Sequence, residues 1–98
     1  MDKDQFHRIN RVLGDQTRFE ILERLAGAGE MACARLAEEL PVSQATISHH
    51  LKELDSAGLL ESRREGKFAF FKLKRSVWKE YQAEMRRRLN PSKGSRIS

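Results

Sequence analysis

The side chains with the most usable chemistry stand close together, between Ser43 and Lys52. At about 100° per residue, Ala45, Thr46, Ser48, His49 and Lys52 fall on the arc of a helix opposite Ile47, Leu51 and Leu54. Gln44 projects from the first turn, and Ser43 is placed to cap it. That arc carries an amide, hydroxyls, an imidazole and an ammonium beside a small alanine, with no carboxylate until Glu53. These groups hydrogen-bond base edges and bind phosphates. Gln44 suits adenine, Thr46 and Ser48 can donate to bases or phosphates, and His49 and Lys52 suit phosphates. The plain alternative is a solvated face, since surface helices are polar outside as a rule.

Other chemistries find less support. Ser, His and Asp are present, but no nucleophile elbow or Gly-rich phosphate loop accompanies them, so the chain does not read as an enzyme. His7 is isolated, and His49 and His50 are adjacent rather than four apart, so no histidine pair has metal-binding helical spacing and no cofactor is expected. The lone Cys33 forms no internal disulfide. It falls on a stripe with Leu36, Ala37 and Leu40 and is expected in the core, with a redox role as the alternative.

The elements that must position the Ser43–Lys52 face can be read from periodicity. Phe6, Ile9, Val12 and Leu13 mark a first helix, ended by Gly14 and followed by Asp15 as a new N-cap. Phe19, Leu22, Leu25 and Ala26 mark a second, broken by Gly27 and Gly29. A third is expected from about Met31 to Leu40, closed by Pro41, and a fourth from Ser43 to Ser56, stopped by Gly58. Helices three and four, joined by Leu40-Pro41-Val42-Ser43, read as a helix-turn-helix with the fourth as recognition helix.

From Leu59 the period changes. Leu60, Ser62 and Arg64, then Glu65-Gly66-Lys67, then Phe68, Phe70 and the run to Leu73 predict a hairpin with a glycine turn, which is a wing. Arg63, Arg64 and Lys67 near its tip are expected to contact DNA; for Lys72 and Lys74, protection of a strand edge is an equal alternative. A last helix runs from Lys74 to Leu89 with Val77, Trp78, Tyr81, Met85 and Leu89 on one stripe. This stripe, and that of Phe6, Ile9 and Leu13, are expected to need a partner surface. Residues 1–89 form one domain in this reading, mainly α with a small β-hairpin in the order α-α-α-α-β-β-α, and residues 90–98 form a flexible tail.

Charge is unevenly distributed. Residues 1–60 hold seven Lys/Arg against ten Asp/Glu, and residues 61–98 hold twelve against four, so the basic excess lies in the wing and last helix. A polyanion partner is implied. No apolar run approaches the roughly 20 residues of a membrane span, and the opening Met1-Asp2-Lys3-Asp4 is unlike a signal peptide, so a cytoplasmic protein without membrane attachment is expected.

Gly14-Asp15-Gln16-Thr17-Arg18, Ser43-Gln44-Ala45-Thr46-Ile47-Ser48-His49-His50-Leu51, Gly58-Leu59 and Arg63-Arg64-Glu65-Gly66-Lys67 together resemble the ArsR/SmtB family of bacterial winged-helix repressors, over nearly all of Phe6 to Leu89. The resemblance implies a winged helix-turn-helix homodimer, built on the first and last helices, that binds a palindromic operator in double-stranded DNA as a repressor. Phe6, Ile9, Leu13, Trp78, Tyr81, Met85 and Leu89 would then form the dimer interface. The family's Cys-x-Cys metal pair falls on Ala32 and Ala34, and the last helix has no histidine, so metal sensing is not expected. An effector, if there is one, is not identified by the sequence. A winged helix serving only as a protein-interaction scaffold is the competing function.

Overall fold

The computed structural model describes residues 1–90; the expected tail, beyond Asn90, lies outside the described residues. Helix α1 (Lys3–Leu13) begins where the Asp2 carboxylate accepts from the Gln5 N–H at 2.8 Å, satisfying one free donor of its first turn. It ends at Gly14, and the Asp15 carboxylate opens α2 (Gln16–Ala28) by accepting from the Arg18 N–H at 3.0 Å. Of the two glycines expected to break α2, only Gly29 does so. It stands at φ 88°, where a side chain would be strained, while Gly27 keeps a helical backbone.

Met31 and Ala32, expected as the first turn of the third helix, instead form a short strand, β1 (Met31–Ala32). It pairs antiparallel with β3 (Phe68–Leu73), Met31 opposite Phe71 and Ala32 opposite Phe70. Two residues carry no readable period; the open edge of β3, whose backbone groups need partners, draws them into the sheet. Helix α3 is consequently Cys33–Glu39. Strand β2 (Leu60–Glu65) lies on the other side of β3, giving a three-stranded sheet of order β1-β3-β2.

After α3 the chain turns through Leu40–Ser43, and the Ser43 hydroxyl accepts from the Thr46 N–H at 3.1 Å to open α4 (Gln44–Ser56). Gly58 follows at φ 85°, the left-handed position that lets the chain leave a helix and turn into a strand. A Cβ there would stand 2.5 Å from Gln5 Nε2, which itself donates to the Ala57 carbonyl at 3.2 Å. The positive φ is what requires glycine, since the flexible amide end of Gln5 could swing aside at the loss of its hydrogen bond. The hairpin turns through Gly66 and Lys67 between the facing Glu65 and Phe68, with Gly66 at φ 62°, where a II′ hairpin turn takes glycine. Helix α5 (Arg75–Leu89) completes a winged helix-turn-helix, mainly α with one hairpin, as expected.

Ile9, Ile21, Leu25, Leu36, Ile47 and Leu54 are fully enclosed at the centre. Each contributes about 1.5–3 kcal/mol by leaving water. Phe19, expected on the buried stripe of α2, is 45% exposed and stays outside this core. The terminal helices also depart from expectation. Phe6, Ile9 and Tyr81, expected to need a partner's cover, are buried by their own chain. The Phe6 and Tyr81 rings lie 5.4 Å apart, Trp78 stacks on Tyr81 at 5.5 Å, and the Tyr81 hydroxyl donates to Asn10. The α1 and α5 stripes thus satisfy each other first. Leu13, Trp78 and Met85 are half-buried, and Leu89 is 73% exposed.

Candidate nucleic-acid interface

Ile47, Leu51 and Leu54 anchor α4 in the core, and the opposite arc therefore faces outward. Ser43, Gln44, Ala45, Thr46, Ser48, His49 and Lys52 are all exposed. Not all are free. The Ser43 hydroxyl caps the helix and also donates to Thr46 Oγ1 at 3.0 Å, so these two hydroxyls act as a unit at its N-terminus. Gln44, Ser48 and Lys52 have no side-chain partner among the described residues.

His49 is held from behind. Its Nε2 lies 2.9 Å from Glu53 Oε1, and the same oxygen receives Arg18 Nη1 at 3.1 Å. Arg18 is itself fixed by donating from Nε to the Val12 carbonyl at 2.8 Å, so the α1–α2 junction buttresses the outer face of α4. The guanidinium also offsets the Glu53 charge, which would otherwise repel a polyanion. Arg18 and Glu53 were not identified from the sequence, because residues 35 apart come together only through the packing of α2 on α4. His50 turns inward: its side chain is 13% exposed, with Nε2 4.0 Å from Asp15 Oδ2. The Arg18 backbone N–H, aided by the Arg18 and His50 charges, holds the Asp15 carboxyl below its ordinary pKa.

The wing closes a groove beside α4. Gln44, Ser48 and Lys52 line it from α4 and Arg64, Lys67 and Ala69 from the wing, with Cys33 and Phe71 also in the lining and Asp55 as its carboxylate. Arg63 does not join them. In an antiparallel pair neighbouring residues face opposite ways, and Arg63 lies opposite Phe70 while Arg64 lies opposite Ala69. The Arg63 guanidinium stands 4.5 Å over the Phe70 ring and pairs with Glu30 at 2.9 Å and Glu65 at 2.7 Å, which push its pKa up. Of the three wing-tip cations expected to contact DNA together, Arg64 and Lys67 share the groove with α4 and Arg63 is already occupied elsewhere. Glu30, whose position beside β1 could not be read without that strand, is the reason.

Cys33 opens α3 half-buried, and burial pushes its thiol pKa up. It packs against the core through one side only, because the helix starts at this residue and leaves it beside the groove. Among the described residues, no group of three or more His, Cys, Asp or Glu side chains is arranged to hold a metal ion.

Comparison with known proteins agrees with this geometry. A helix-turn-helix domain family model matches residues 13–63, from the end of α1 through the Arg63 position of the wing. The chain is 43% identical over 63 residues to an uncharacterised HTH-type transcriptional regulator from Methanocaldococcus jannaschii, covering 64% of this chain and 71% of that one. It is 32% identical over 77 residues to the arsenical resistance operon repressor of Staphylococcus aureus, covering 79% and 73%. The chain belongs to the ArsR family of winged helix-turn-helix transcriptional regulators. Among solved structures, it resembles the homodimeric winged helix-turn-helix DNA-binding domain of a possible ArsR-family regulator from Mycobacterium bovis, with a TM-score of 0.72 and 27% identity over 97% of this chain and 88% of that one. The members of this ArsR-family group are regulators, not enzymes.

Proposed function

We infer that this ArsR-family chain is a sequence-specific repressor that binds a palindromic operator as a homodimer in the cytoplasm. The observation that carries the reading is the shared groove, in which the free polar groups of α4 face Arg64 and Lys67 of the wing. Inserted in the major groove, α4 brings Gln44 and Ser48 to base edges, while Lys52, Arg64 and Lys67 meet the backbone beside it. The fixed imidazole of His49 adds a donor whose direction is set in advance by Glu53 and Arg18.

The two-fold partner covers what the protomer leaves uncovered on its terminal helices, Leu13, Trp78, Met85 and Leu89. Phe6, Ile9 and Tyr81 support that face from beneath. Such a dimer presents two α4 helices to successive major grooves, about 34 Å apart. The related M. bovis domain is homodimeric, and the S. aureus relative is an operon repressor. Both support the reading.

The test is sedimentation of the protein alone and on a duplex carrying its operator. Two chains per duplex, with affinity falling steeply as salt rises, is the expected result. A chain that stays monomeric at micromolar concentration and binds DNA one to one contradicts the dimer.

A further inference from the structure

A second groove flanks α4 on the side away from the wing. It lies between α1 and α4 and is lined by Arg8, Arg11, Arg18, His49 and Lys52, with Glu53 as its one carboxylate. Glu53 is already neutralised by Arg18 and bound to His49. Arg8 is drawn aside toward the Ser56 carbonyl, 3.5 Å from its Nη1. Arg11 and Lys52 are exposed, and neither has an ion pair or side-chain hydrogen bond among the described residues. Two uncommitted cations therefore face a concave surface whose acid is neutralised, beside the helix that presents the reading face. Lys52 lines both grooves and stands on the ridge between them.

The geometry points to the α1–α4 groove as a second phosphate seat, in which Arg11, with Lys52, grips the DNA strand on the side of α4 away from the wing. This rests on the DNA-binding reading of α4 given above. A helix lying in a major groove about 12 Å wide has a phosphate strand on each side of it. The wing supplies cations to one strand through Arg64 and Lys67, and on the far side of α4 Arg11 and Lys52 are the cations of the groove left without a side-chain partner among the described residues. The two seats straddle the reading face and fix its depth and tilt, the positioning work that backbone contacts do.

The assignment is tested by salt titrations of wild type, Arg11→Gln and Arg11→Lys on two duplexes, one carrying the sequence the wild type selects and one of random sequence. Arg11→Gln is expected to weaken binding to both duplexes by the same factor, about 25-fold at 0.15 M salt, and to lower the slope of log K against log salt by about 1.8, the loss of one phosphate contact in each half-site of the dimer. Arg11→Lys keeps the charge and is expected to keep the wild-type slope. In ethylation interference, one phosphate per half-site, on the strand away from the wing, should stop mattering in Arg11→Gln. Arg11→Gln binding like wild type on both duplexes overturns the seat and leaves the reading of α4 intact. Weakening confined to the selected sequence also overturns it, since Arg11 would then be reading bases. A wild type that binds neither duplex overturns both assignments.

Discussion

Arg63 and Arg64, adjacent in the chain, stand on opposite faces of the wing: Arg63 is clamped between Glu30 and Glu65 over Phe70, and Arg64 faces Gln44, Ser48 and Lys52 across the groove. One arginine ties the wing to the body, and its neighbour is free to meet a ligand. In salt titrations on operator DNA, Arg64→Ala is expected to reduce the slope of log K against log salt by about 1.8, one phosphate contact from each chain of the dimer. Arg63→Ala should leave that slope unchanged and speed amide hydrogen exchange in the β2–β3 turn. A slope change for Arg63→Ala as large as that for Arg64→Ala would show that the Glu30 clamp opens on DNA.

Gly27 within α2 and Gly58 just after α4 predict stability changes of opposite sign. Gly58 has a positive φ, and a Cβ there meets Gln5 Nε2 at 2.5 Å, so Gly58→Ala is expected to cost at least about 1–2 kcal/mol. Gly27 is helical, with nothing within 4 Å of an added Cβ, so Gly27→Ala should stabilise by up to about 1 kcal/mol. Urea denaturation followed by circular dichroism measures both. Adding Gln5→Ala to Gly58→Ala should recover the part due to the clash and none of the part due to φ.

Asp15 caps α2, and its carboxyl is held below its ordinary value near 3.8 by the Arg18 N–H, with the Arg18 and His50 charges assisting. A depressed folded pKa contributes stability above the unfolded pKa and loses it as pH falls through the folded one. Asp15→Ala is therefore expected to cost about 1 kcal/mol at neutral pH. The gap from wild type should begin to narrow as pH falls below ~4 and close only once pH has passed the lower, folded value, where the cap is protonated in both folded and unfolded chains. A gap that stays constant down to pH 2 would contradict the charged cap.

Burial raises the pKa of the Cys33 thiol, so little of it is thiolate at neutral pH. Alkylation by iodoacetamide should be slower than that of a free cysteine at pH 7 and should rise with pH along a curve displaced upward. Rapid labelling at pH 7 would contradict the raised pKa.

Legibility from sequence followed the range of the interaction. Ser43 as cap and Ile47, Leu51 and Leu54 as buried stripe are local signals, and together they orient α4, so its outward residues were correctly listed without the structure. The wing was equally legible because Gly66 and the change of period mark it. Met31–Ala32 was misread because a two-residue strand exists only through its pairing with β3. Period-two alternation alone would have separated Arg63 from Arg64, but which face met Glu30 depended on that same pairing. Phe6 and Tyr81 were read as needing a partner's cover, and their own chain buries them. Whether the cover came from the same chain or another required knowing that α1 packs on α5. The Arg18–Glu53 pair and the α1 side of the basic surface were hidden for the same reason, and the acidic balance of residues 1–60 concealed Arg11.

Whether the outer face of α4 reads DNA is decided by selecting bound sequences from a random duplex library with wild type and with the Gln44→Ala, Ser48→Ala, His49→Ala triple variant. Wild type is expected to enrich a palindrome whose half-sites lie about one helical turn apart, and the triple variant, folded as judged by circular dichroism, to enrich none. No enrichment by wild type at low salt, or the same palindrome from both proteins, would contradict a reading role for that face.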